Sequence, residues 1–226
     1  MKVKGSIIKQ EAEVEATENE IKAFFNGIVP DFVKQTGGIL SDTVRYWRWK
    51  NQVAIVLKAK KVLEEKGLSK QAVSLKVLVP LVDASSLEQD ESMQTRWANL
   101  LANAISGAME IRPNYVEILK ELSPVEALVL DKLYEAIIVE SDQKKRLQMQ
   151  FSKEKIVEWL KLGNDTANLL IENLFRLNLC RMPGSTGMTF GENMRIAVNT
   201  TDVFEFTATG FDFVRACRTP QKYEIS

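Results

Sequence analysis

The chain has 226 residues, 45% hydrophobic and 27% charged, with thirty Lys and Arg balancing thirty Asp and Glu. That is an ordinary globular composition, long enough for two modest domains, with no net charge to draw the whole molecule to nucleic acid or anionic lipid. Histidine is absent and the only cysteines are Cys180 and Cys217, which excludes Ser–His and Cys–His nucleophile pairs, imidazole proton transfer, His-containing zinc sites and a disulfide framework.

Residues 1–10 carry lysines at 2, 4 and 9 but no apolar core of signal-peptide length. The longest nearly uncharged apolar run, Val77 to Val82, is too short to span a bilayer. A cytoplasmic protein with no integral membrane association is expected, its two cysteines acting as small buried hydrophobes. Residues 1–20 read as a flexible acidic segment. Ile21, Phe24, Phe25, Ile28 and Phe32 then recur at helical spacing, interrupted by Val29-Pro30 and followed by Gly37-Gly38. Without a basic polar face, that stripe suits core or partner packing better than a membrane surface.

A long helix is predicted from Ser41 or Asp42 to Lys66, closed by Gly67, with Trp49, Val53, Val56, Leu57 and Leu63 on one stripe. Residues 75–84 are short and apolar, with Pro80 inside; helix and strand compete there, and the Ala and Leu near the end favour helix. Ser86-Leu87-Glu88-Gln89 has the form of a capping box opening a helix to about Ser106, with Leu87, Trp97, Leu100, Leu101, Ala104 and Ile105 inward. Gly107 ends it, and Arg112-Pro113 starts a short helix over 114–122. Ser123-Pro124-Val125-Glu126 combines an N-cap, a proline at N1 and an acid at N3. The helix it opens runs through Ile138 and buries Ala127, Leu130, Leu133, Tyr134 and Ile137, and the polar run 141–150 follows as a linker or a loop between helices.

The last third changes rhythm. Ser152 opens a helix to Leu162, and Asn164 or Asp165 caps another reaching about Asn178. Strands are predicted at 179–182, 196–198 and 203–207, around a Gly- and Pro-rich loop at 183–195, before a final helix over 211–217. Three helices followed by a short β-ribbon is the winged-helix order. The expected fold is therefore mainly α: the segment 1–20, a helical body at 21–110, and a winged-helix-like C-terminal module at 113–226.

Candidate contact residues fall in both parts. Arg45, Arg48 and Lys50 stand in an aromatic–basic cluster, Arg45-Tyr46-Trp47-Arg48-Trp49-Lys50, of the kind that stacks bases and holds phosphates. A helix spreads those six residues around its axis, which favours a core-plus-surface reading over a nucleic-acid platform. Asn99 and Asn103, one turn apart on an Ala-rich helix, are a candidate interaction surface. Asp83, Glu88, Asp90 and Glu91 lack the spacing of a metal cage and suit a helix start, so neither a metal nor a cofactor is expected. In the winged-helix-like module, Asn168, Asn173, Arg176, Arg181 and Arg195 are the candidate contacts. The predicted reading helix sets one Arg against Asp165 and Glu172, and residues 151–226 carry nine basic against nine acidic side chains. That balance favours protein contact over DNA reading.

Several blocks in one order carry a resemblance. Gly37-Gly38-Ile39-Leu40-Ser41-Asp42 runs into Arg45-to-Gln52; then come Lys76-to-Glu88, Trp97-Ala98-Asn99-Leu100-Leu101-Ala102-Asn103-Ala104 and Tyr115-to-Pro124. Together they are similar to the Abi-alpha family, firmly over about 20–136 and more loosely beyond. The resemblance implies an association with bacterial abortive infection and supplies no reaction and no catalytic residue. It leads to a non-enzymatic sensor or interaction module for a phage or host protein, with homo-oligomers open. The alternative is a winged-helix DNA-binding regulator.

Overall fold

In the computed structural model, residues 42–183 and 203–221 are described, together with Glu20 and Ala23; at 42–46 and 143 the description is of the backbone. The fold is mainly α, and its described elements divide into two units. The stripe at 21–32, the loop at 184–195 and the predicted strand at 196–198 lie outside the described residues.

The helices described in full in the first unit are α1 (Asp42–Glu65), α2 (Leu75–Ser85), α3 (Glu91–Ser106) and α4 (Asn114–Glu121). α1 has the predicted length but a rotated inner face, burying Ile55, Val56, Ala59 and Leu63 while Trp49, Val53 and Leu57 are half-buried. α2 is helical despite Pro80. Ser74 caps its start, and the proline sits on the exposed side, where the Lys76 carbonyl loses its helical donor to solvent.

α3 starts later than its sequence suggests. Asp90, not Ser86, is the N-cap, accepting from the Met93 amide at 3.0 Å, while Glu88 Oε1 accepts from the amides of Gln89 and Asp90. Two carboxylates compete better for those donors than one hydroxyl, and Ser86 instead closes α2. Leu87 is thereby left outside the helix and exposed, whereas Trp97, Leu100, Leu101 and Ile105 are buried as expected. Gly107 ends α3 in the left-handed region at φ +64°.

The second unit contains α5 (Pro124–Ile138), α6 (Gln143–Arg146), α7 (Lys153–Leu160), α8 (Asn164–Arg176) and most of α9 (Ala208–Ala216). Its sheet has strands β1 (Gln150–Ser152), β2 (Cys180–Arg181) and β3 (Val203–Phe206), antiparallel in the order β1–β3–β2. The polar run expected to be a linker or a loop between helices holds a short helix and the start of β1, with Phe151 paired to Phe204 across the ladder. Alternation along β3 sends Phe204 and Phe206 to one face and Glu205 to the other. The Phe204 ring lies 6.0 Å from Phe151 and 6.4 Å from Phe175, forming an aromatic core. Thr207 closes the strand: its amide donates to Leu179 O at 3.0 Å, and its hydroxyl accepts from the Gly210 amide at 2.9 Å as α9 begins.

The boundary between the units falls at Glu121–Leu122. α4 buries Tyr115, Val116, Ile118 and Leu119 within the first unit, and the Ser123 cap starts the chain afresh. Residues 216–221 are also grouped with the first unit.

Candidate interaction surfaces

The start of α1 is largely occupied by holding the end of α2. Arg48 donates from Nε to Ser86 Oγ at 2.8 Å and from Nη2 to Asp83, while Asn51 donates to Ser86 O at 3.0 Å and Gln52 to Val82 O at 3.3 Å. Carbonyls at a helix C-terminus lack intrahelical donors, and Asn51 and Gln52 supply two of them, while Arg48 binds the side chains of Ser86 and Asp83. Of the three basic candidates, Arg48 is thus engaged within the chain and Lys50 is exposed, its ammonium 5.2 Å from the centroid of the half-exposed Trp47 ring. The Arg45 side chain lies outside the description. Asn51 and Gln52 escaped the sequence reading; two adjacent amides between the aromatic–basic cluster and an apolar run were the available signal.

The four carboxylates have local tasks. Asp83 pairs with Arg48, Glu88 and Asp90 accept backbone amides, and Glu91 stands in the first turn of α3 beside Lys58. The Ser92 hydroxyl and then the Met93 amide hold the Asp90 carboxyl below the usual carboxylate range.

Asn99 and Asn103 do not form a surface. They are 6% and 2% exposed, in an otherwise apolar stretch of α3. Asn99 Nδ2 donates to Cys217 O at 3.1 Å; Asn103 Nδ2 lies 2.9 Å from both Ala216 O and Arg218 O, and 3.0 Å from Asn99 O. Burial of an amide is costly unless it is hydrogen-bonded, and the carbonyls of residues 216–218 meet that need.

In the second unit two of the candidates on α8, Asn173 and Arg176, form a network. Glu126, buried at the start of α5, accepts from the Ser123 amide and hydroxyl at 2.7 and 2.8 Å and from Asn173 Nδ2 at 2.6 Å. The Asn173 oxygen in turn accepts from Arg176 Nε and Nη2 at 3.0 and 2.7 Å. Arg181 pairs across the ladder with buried Glu205 at 3.3 Å. Asn168 is half-buried, its amide oxygen meeting no donor among the described residues. Arg195 lies outside the described residues. Exposed α8 positions include Asp165, Glu172 and the apolar Leu169, which is 68% exposed.

A cationic–aromatic cluster that the sequence reading missed surrounds Trp159, with Lys155 and Lys132 at 5.3 and 5.8 Å from its centroid. Both cysteines are buried, and burial raises the Cys180 thiol pKa, which keeps it protonated and unreactive. Among the described residues no group of three or more Cys, Asp or Glu could hold a metal ion, and no helix is long and apolar enough to cross a membrane.

No curated protein and no solved structure matches the chain. The family model described as abortive infection alpha matches residues 50–217, which is most of the chain and includes the capped helix α5, the buried asparagines of α3 and the whole of the second unit's sheet. The chain belongs to the abortive infection alpha family.

Proposed function

We propose that this protein acts in phage defence as a non-enzymatic, cytoplasmic sensor that recognises a phage or host protein, with the second unit as its winged-helix-like contact module. The observation that carries the protein-contact reading is the fate of the cations on the candidate reading elements. Arg176 is folded onto Asn173 and Arg181 onto Glu205, while Leu169, Asp165 and Glu172 are exposed. DNA affinity comes largely from cations free to neutralise phosphates, and acids on the same helix oppose it. Family membership supports the link to abortive infection. Deletion of the gene from its host should raise phage plating efficiency, and restoring the gene should lower it again; unchanged plating in both strains overturns the defence reading. Pull-down from infected and uninfected cells should recover a protein that differs between the two.

The second reading, a DNA-binding regulator, draws support from the order helix, strand, helix, helix, strand, strand and from the sheet order β1–β3–β2, both of which suit a winged helix. Gel shift of the full chain across a salt series separates the two: a reader of DNA loses affinity steeply as salt rises, whereas a protein-contact module gives no shift.

A further inference from the structure

We propose that Asn99, Asn103 and the backbone of residues 216–218 form a releasable clasp, whose opening frees the C-terminal stretch from the first unit while the sheet of the second unit stays folded. The inference does not rest on the function proposed above.

The chemistry of the clasp is that of a helix end capped from elsewhere. The last carbonyls of a helix have no intrahelical donor and must find one or meet water. Here the carbonyls of Ala216, Cys217 and Arg218 accept from two amides on α3, more than 110 residues earlier in the chain. Asn103 has two N–H groups for three nearby acceptors, so its hydrogens are shared.

Buried polar contacts of this kind favour two positions over a continuum. With the segment in place, all of these acceptors have a donor. With the segment fully out, water reaches both amides and carbonyls. A half-withdrawn segment leaves amides buried without acceptors, which is the costliest arrangement.

The apolar anchoring decides which part lets go. Among the described residues after Phe213 and Val214, the buried side chains are Ala216, Cys217 and Pro220, while Thr219 and Gln221 are exposed. The second unit is held by Phe151, Phe204, Phe206 and Leu174, all buried. Small side chains bury little area, so the polar clasp carries a larger share of the attachment at 216–218 than polar bonds do around β3. A ligand that binds the freed stretch, or the face of α3 it leaves, would shift the balance by its preference for one position.

Native-state hydrogen exchange of the full chain over a low-urea series tests this directly. Amides in the last turn of α9 and at residues 217–218 should exchange through an opening reached at lower urea than that of α8 and β3. Asn103→Asp sets a carboxylate against carbonyl oxygens and should increase that opening at least about tenfold while α8 and β3 keep their protection. Asn103→Ala should act in the same direction more weakly. The proposal is overturned if the wild-type amides of 214–218 share one isotherm with α8 and β3, if they show no protection at all, or if Asn103→Asp moves every region together. The wild-type series needs no substitution, so a variant that fails to fold leaves the test standing.

Discussion

Asp90 shows how a single side chain defines where an element starts and how that start responds to acid. Its carboxyl pKa is depressed by the Ser92 hydroxyl first and the Met93 amide next. A group whose folded pKa lies below its unfolded one contributes stability that is complete above the ordinary carboxylate range and is lost as pH falls through the depressed value. Melting curves taken from about pH 6 to about pH 2 should therefore show wild type more stable than Asp90→Ala at the upper end, with the difference shrinking toward the lower end. A constant gap across that range would show that the carboxylate charge is not what caps α3. Asp90 was one of four acids whose sequence context pointed to a helix start, and that much was legible because its donors lie within three residues. Asn51, Asn103 and Thr207 were harder, because their partners stand 35, 113 and 28 residues away. A local window holds no trace of such pairs.

Whole elements follow the same division between local and distant causes. The helix at Pro124–Ile138 was legible to the residue because its capping box is complete within four positions. Ser123→Ala should cost about 1 kcal/mol in urea unfolding of the second unit. Glu126→Ala should cost more, about 2–3 kcal/mol, since it also leaves the Asn173 amide without its acceptor. Equal effects would mean that the link from α5 to α8 adds nothing. The strand at Gln150–Ser152 was not legible: it lies in a polar run and becomes a strand only by pairing with residues 203–205. Ser86 misled for a related reason, since its capping pattern is real but stronger acceptors stand two and four residues on, at Glu88 and Asp90. Gly210 fits its element through contact. A Cβ there would stand 2.3 Å from Leu179 O and 2.5 Å from the Phe206 ring, so Gly210→Ala should destabilise by about 1–3 kcal/mol and lower the thermal midpoint of the second unit.

Across the molecule, the mainly α class and the order of most elements could be read from helical periodicity and caps. Gly107 and Pro113 are local punctuation that marks the end of α3 and the approach to α4. Grouping is decided by what α4 buries against and by where residues 216–221 attach, and neither is written locally. The candidate contact residues show the same limit, because sequence identifies a cation but not whether a neighbour has already taken it, as Asp83 has taken Arg48. One consequence concerns synthesis. The central strand of the sheet arrives only at Val203–Phe206 and the acceptors for the α3 amides only at Ala216–Arg218, so both halves of the protein are completed by the same late stretch of chain. A premature stop near residue 200 should therefore leave the second unit without its central strand and the first with its α3 amides unclasped, detectable as the loss of the second unit's melting transition while the first unit still melts cooperatively.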